Sequence, residues 1–254
     1  MDRELSGKTA LVTGASRGIG AATAIALAGQ GASRLILHYN SYQEGLERVV
    51  ASVQKAGARA DIIQADLGCD SGMQTFLKAL KAAGQDVDIL INNAGSLVKR
   101  AKLSEFTSEL FDRVMTLNVK SAWFAAQAVA PHMIERKSGT IVNVSSISAR
   151  TGGGIGATVY AAAKAAVSAL TKGLAKELAP HGIRVNAVSP GTVDNNFHVQ
   201  FSTRRILDGV AAATPAGTLG TNEEVADTIV FLCSHAARYI HGQTIEINGG
   251  MFMV

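Results

Sequence analysis

Short apolar runs of strand length alternate along this chain with amphipathic stretches of helix length. Residues 8–13 (KTALVT), 35–39, 61–65, 87–91 (VDILI), 140–144, 184–188 and 243–247 read as strands. Between them, residues 21–28, 43–56, 71–83, 105–136, 159–178 and 222–232 carry the helical period. Pro131 is expected to kink or end the long fourth helix, and Thr221 to cap the last one. Strand and helix in strict alternation predict right-handed crossovers and a parallel sheet, an α/β fold. No linker, repeat or low-complexity segment divides the chain, so residues 1–254 are expected to form one domain.

In such sheets ligands are received at the carboxyl ends of the strands. The informative residues fall there: the run TGASRGIG after the first strand, Asp66 after the third, Asn92–Asn93–Ala94–Gly95 after the fourth, Ser145 and Ser146 after the fifth, and Pro190–Gly191 after the sixth. A strand, a glycine turn at Gly14, Gly18 and Gly20, and an alanine-rich helix together form a context in which backbone amides hold a pyrophosphate.

Tyr160 and Lys164 stand four apart in an alanine-rich run with no breaker. On a helix they share a face, and a neighbouring ammonium favours the phenolate, so Tyr160 is expected to lose its proton more easily than a free tyrosine. That suits a proton donor and acceptor near neutral pH. The glycine-rich segment 151–156 can turn the chain back and bring a hydroxyl from Ser145 or Ser146 to the same point.

Composition narrows the classes. Hydrophobic residues make up 47% against 5% aromatics, with 26 glycines, which suits helices packed closely on a sheet. The net charge of +4 is scattered, with no basic stripe or aromatic-basic motif for nucleic acid. No apolar run is long enough for a membrane span, and the start lacks the pattern of a secretory signal. Cys69, expected in a loop, and Cys233, expected in an apolar helix, are isolated and predict no metal site; the chain is expected in a reducing cytoplasm.

Taken together, the motifs resemble the short-chain dehydrogenase/reductase family across essentially the whole chain. The resemblance rests on T13-G-x-x-x-G-x-G20, Asp66, N92-N-A-G95, Asn118, the serine pair before Y160-x-x-x-K164, and P190-G191. It implies a single Rossmann-type, doubly wound sheet with helices on both faces, and hydride transfer between a nicotinamide dinucleotide and a ketone or secondary alcohol. By that resemblance Tyr160 is the acid/base, and Lys164 lowers its pKa and meets the nicotinamide ribose. Ser146, the second of its pair, holds the substrate oxygen, and Asn118 anchors a water of the proton relay. The dinucleotide is expected on Gly14, Ser16, Arg17, Gly18, Ile19 and Gly20. Asn40 and Ser41 face its ribose, and Asp66 and Leu67 its adenine. Asn93, Ala94 and Gly95 back it within the 92–95 turn that mainly supports the sheet. Tyr160 and Lys164 meet its nicotinamide end, as do Pro190, Gly191 and the backbone of Val193. The family often has a Thr after the Pro-Gly; here the run is PGTVDNNFHV, and Thr192 or Asn195 takes that place.

Arg17 within the glycine turn, and no acid after the second strand before Glu44, imply NADP(H) over NAD(H). Residues 194–214 are expected as a substrate lid. The chain most resembles 3-oxoacyl-carrier-protein reductases; Lys137 matches one of their basic docking positions, while His181 stands where a second would be basic. A 3-oxoacyl thioester is therefore one expected substrate, a sugar- or uronate-derived carbonyl the alternative, and a non-catalytic dinucleotide sensor a third reading. The alanine-rich helices and the tail 251–254 are expected to assemble a homotetramer.

Overall fold

The computed structural model describes residues 4–84 and 86–254; residues 1–3 of the expected domain, and Gln85, lie outside the described residues. Seven parallel strands form one sheet in the order β3-β2-β1-β4-β5-β6-β7. They are β1 (Thr9–Val12), β2 (Arg34–Tyr39), β3 (Arg59–Gln64), β4 (Ile89–Asn92), β5 (Gly139–Val144), β6 (Ile183–Pro190) and β7 (Thr244–Ile247). Strand order reverses between β1 and β4, so the loops after these two strands part and leave a crevice.

Side-chain alternation divides the core into two layers. Ala10 and Val12 of β1, Leu35 and Leu37 of β2 and Ile89 and Ile91 of β4 pack on one face. They meet α1 (Gly18–Gly29), α2 (Gln43–Lys55) and α10 (Asn222–Cys233). Leu11, Ile36 and Leu90 point the other way. They meet α3 (Asp70–Ala83), α5 (Ser121–Arg136) and α7 (Thr158–Leu178), the last preceded by the one-turn α6 (Ser148–Thr151). Strands buried on both faces explain why their sequences read as continuous apolar runs. Cys233 lies buried in α10, and burial pushes its thiol up to about 12.

The expected helix over 105–136 is not one helix. A 3₁₀ turn at Leu103–Glu105 precedes α4 (Ser108–Met115), then a π-helical turn, Thr116–Lys120, leads into α5. Nor does Pro131 end α5, which runs on to Arg136. Proline is exposed at that position, so solvent serves the carbonyl its ring cannot pair. Thr221 caps α10 as expected: its hydroxyl accepts from Glu224 N–H, and Glu224 reaches back to Thr221 N–H. Among the described residues no helix is long and apolar enough to cross a membrane.

Candidate active site

The glycine turn is fixed by its neighbours. Thr13 Oγ1 accepts from the N–H groups of Asn93 and Ala94, both at 3.0 Å, tying the loop after β1 to the loop after β4. Asn93 Nδ2 donates to the carbonyls of Thr13 (2.9 Å) and Gly14 (3.1 Å). Gly14 (φ 67°) and Gly18 (φ 58°) lie in the left-handed region that glycine adopts without strain. Gly20 is needed for space: a methyl there would collide with the Gly14 carbonyl and the Asn93 amide. Helix α1 thus begins directly beneath the turn, with no acid in its first turn. Its N-terminal amides and positive dipole end suit a pyrophosphate.

Beyond the turn, Asn40 and Ser41 stand exposed at the end of β2. Burial alone would raise the Asp66 carboxyl, but the Arg113 guanidinium at 2.9 Å and the Gly68 N–H outweigh it and hold the group below its ordinary range. Two residues there are not named by sequence reasoning. The Tyr42 ring lies between the guanidinium groups of Arg17 and Arg48, each 5.6 Å from its centroid, and Arg48 donates to the Tyr42 hydroxyl. Gly45 makes this possible, since a methyl there would strike the Tyr42 ring. Such contacts gather two cations on the Tyr42 ring, which lines the cleft with Arg17, Asn40 and Ser41. The signal was present, a Tyr and an Arg flanking a helical Gly, but spacing alone does not give it direction.

The catalytic candidates meet at the opposite end. Ser145 turns inward, donating to the Lys164 carbonyl at 2.9 Å and sharing a hydrogen bond with Ser168 Oγ at 2.8 Å. Ser146 instead hydrogen-bonds Tyr160, and its Oγ accepts from Ser148 N–H at 3.1 Å. Of the two hydroxyls, only that of Ser146 meets the phenol. Lys164, 3% exposed, donates to the Val144 carbonyl at 2.8 Å and lies 5.7 Å from the Tyr160 ring centroid.

The proton affinities run against expectation. Burial pushes the Tyr160 phenol up, to about 12, and the Ser146 hydrogen bond only partly opposes this. Burial likewise brings the Lys164 ammonium down to about 8. Burial shifts both groups toward their neutral forms, and desolvation outweighs the charge pairing that the i, i+4 spacing suggests. Tyr160 therefore waits protonated, as a proton donor to an oxyanion must.

Asn118 sits in the middle of the π-helical turn, 2% exposed. It lies behind the cleft wall: Oδ1 accepts from Ser96 N–H at 3.2 Å, and Nδ2 donates to the Ser96 and Val114 carbonyls at 2.8 and 2.9 Å. Gly95 separates it from Lys164. A methyl at Gly95 would stand 2.6 Å from Asn118 Oδ1 and 2.8 Å from Lys164 Nζ.

One cleft of about 690 Å³ gathers these parts. Every expected cofactor residue except Gly20 lines it, as do Ser146, Tyr160 and Lys164. Thr192 and Asn195 both line it too; Asn195 caps α8 (Asn196–Phe201) and donates to Asn222 Oδ1 at 2.9 Å. Helices α8 and α9 (Arg204–Ala213) cover the substrate end. Phe197 lies 5.9 Å from the Tyr160 ring, centroid to centroid, and packs on Phe201. Arg100 crosses the mouth, donating to the carbonyls of Phe201 (2.8 Å) and Ile155 (2.9 Å).

Known proteins resemble this chain over nearly its whole length. The family model described as enoyl-(acyl carrier protein) reductase, of the short-chain alcohol dehydrogenase type, matches residues 14–252. An uncharacterized oxidoreductase of Bacillus subtilis is 39% identical, over 96% of this chain and 98% of that protein. The 3-oxoacyl-[acyl-carrier-protein] reductase of Staphylococcus epidermidis is 37% identical, over 97% and 99%. Among solved structures, an NADH-dependent reductase responsible for alginate metabolism aligns at TM-score 0.88 with 35% identity, covering 99% of this chain and 100% of that one. A putative NAD(P)-dependent gluconate 5-dehydrogenase from Beutenbergia cavernae, with NADP bound, aligns at 0.90 with 34% identity, covering 99% of each. The chain belongs to the short-chain dehydrogenase/reductase family of oxidoreductases, which act between CH–OH and C=O.

Proposed function

We propose that this protein is an NADP(H)-dependent reductase of a ketone, running also in reverse on the secondary alcohol. The observation that carries the reading is the convergence of Ser146, Tyr160 and Lys164 on one end of a cleft whose other end is a glycine turn over a helix N-terminus. The dinucleotide, when bound, supplies or takes the hydride. The chain supplies the rest. Ser146 donates to the substrate oxygen, Tyr160 hands it a proton as negative charge develops there, and the Lys164 ammonium stabilises the phenolate left behind. Asn118, tied to the Ser96 peptide, supports the relay from behind the wall.

Preference for the 2′-phosphate is supported by Arg17 and Arg48 stacked on Tyr42, and by Asn40 and Ser41 where an acid would repel a phosphate. The test is a comparison of kcat/KM for NADPH and NADH with one ketone. Equal values, or a preference for NADH, would reject it.

Two substrate classes are proposed: a 3-oxoacyl thioester, presented by a carrier protein, and a sugar- or uronate-derived ketone. Arg100 favours the second, since among the described residues no carboxylate lies within ion-pair distance of it and it opens on the cleft. The 3-oxoacyl reading draws on the 37% relative. A panel holding an acetoacetyl thioester and a keto-sugar acid separates them, and binding without turnover of any ketone would favour a sensor. We further propose a cytoplasmic homotetramer, supported by half-exposed Trp123 of α5 and Phe111 of α4 on the helices expected to pair. A light-scattering mass of one subunit would refute it.

A further inference from the structure

All of β2 is apolar at its buried positions 35–37, but His38 at its cleft end is 2% exposed and lines the cleft. Its imidazole makes two hydrogen bonds. Gly14 N–H donates to Nδ1 at 3.1 Å, and Nε2 lies 3.0 Å from the Ala65 carbonyl. A carbonyl only accepts and an N–H only donates, so one form of the ring satisfies both: neutral, with its proton on Nε2. Burial favours that form, lowering the imidazole to about 4 despite the Ala65 carbonyl and the Asp66 carboxylate, which pull the other way. The edge-on contact with Phe76, 5.3 Å between centroids at 85°, fixes the ring plane.

The Gly14 carbonyl is held from the other side by Asn93 Nδ2. The first glycine of the turn is thus gripped at its N–H by a side chain from β2 and at its C=O by one from the loop after β4. We infer that His38 is a positioning residue of the dinucleotide site, its imidazole joining the Gly14 N–H to the end of β3 and so setting the turn that receives the pyrophosphate. The inference rests on the proposed dinucleotide binding. The same ring also fixes Ala65, next to Asp66 and Leu67 at the adenine end, so one side chain sets the spacing between the two halves of the adenosine site.

The two hydrogen bonds separate by substitution. The amide of Asn reaches as far as Nδ1, and that of Gln as far as Nε2. His38→Asn therefore keeps an acceptor for Gly14, and His38→Gln keeps only a donor for Ala65. Calorimetric titration with NADPH, with KM and kcat measured alongside, is the experiment. His38→Gln is expected to weaken NADPH binding and raise its KM on the order of tenfold, the effect of one buried N–H left unpaired, with kcat at saturating NADPH little changed. His38→Asn should stay within about threefold of the parent in both. Equal losses in the two variants, or a larger loss in Asn, overturn the inference and reduce His38 to a core-filling ring. Failure of the unaltered protein to bind NADPH would instead overturn the dinucleotide reading itself. Should neither variant fold, nitrogen NMR of the unaltered protein decides: one histidine neutral with its proton on Nε2, shifting on NADPH addition, is expected, and the opposite tautomer or an unmoved signal overturns it.

Discussion

The Lys164 ammonium stands 5.7 Å from the centroid of the Tyr160 ring, close enough to act on a phenolate while it donates to the Val144 carbonyl rather than to the phenol. With its phenol pushed up to about 12, Tyr160 holds the proton that the proposed ketone reduction would consume. Tyr160→Phe keeps the ring and its packing on Phe197 but removes that proton. Turnover should fall by roughly a thousandfold or more, while NADPH affinity measured by titration stays within a few-fold. A variant retaining a tenth of the rate would sink the assignment.

Lys164 carries a cost that the same position makes useful. Its pKa is lowered from 10.5 to about 8 by burial, so the folded state binds its proton less well than the unfolded chain does. The sign follows: this group favours folding fully above about 10.5, and that contribution is lost as pH falls through 8. At pH 7 the buried charge weakens the fold. Lys164→Met should therefore abolish activity yet stabilise the unliganded enzyme at pH 7 by on the order of 1–3 kcal/mol. The gain should shrink above pH 10. Denaturant melts at pH 7 and 10 check this, and a less stable variant at pH 7 would contradict it.

Gly95 is the seam between Asn118 and Lys164. Gly95→Ala places a methyl against both Asn118 Oδ1 and Lys164 Nζ. Neither neighbour has room to retreat, since Asn118 is bound on three sides and Lys164 is buried. A loss of kcat of at least about a hundredfold is expected, with about 1–3 kcal/mol of stability from overpacking. Unchanged kcat would mean that the Asn118–Lys164 geometry is irrelevant to turnover.

Cofactor choice should respond to single charges. Arg17→Ser and Arg48→Ser should each raise the KM for NADPH by roughly tenfold or more and leave that for NADH nearly as it was, as expected for a lost charge-assisted hydrogen bond. Asn40→Asp should shift preference toward NADH by repelling the phosphate. Steady-state kinetics with both dinucleotides report the split, and equal losses with the two would discredit the phosphate reading of Tyr42 and its arginines.

The inner strands and the glycine turn were legible because buried parallel strands announce themselves as apolar runs and because Gly14, Gly18 and Gly20 are required by backbone and space. The site's skeleton was legible for the same reason: strand ends follow the strands. What escaped depends on contact across the fold. Nothing in the period of 105–136 marks the π-helical turn, since a residue too many leaves no change in composition. That α5 would run on past Pro131 was not readable, because the exposure of that position was not. The direction of the Tyr160 shift depends on how much water the pocket excludes, which the spacing of Tyr160 and Lys164 cannot express. His38 and Arg48 read as an ordinary strand residue and an ordinary helix charge until Gly14 and Tyr42 are placed beside them.

The π-helical turn at Thr116–Lys120 also bears on how this chain tolerates change in length. It holds one residue more than a regular helix would over the same rise, and Asn118 lies in that surplus. Swapping a side chain in the turn alters one contact. Removing a residue would let α4 and α5 fuse into a single regular helix and swing everything before the cut by about 100° relative to everything after it. Asn118 would leave Ser96, although its identity were preserved. Insertions and deletions, harmless in most surface loops, are thus forbidden in the middle of this helical stretch by a constraint that no column of residue identities records.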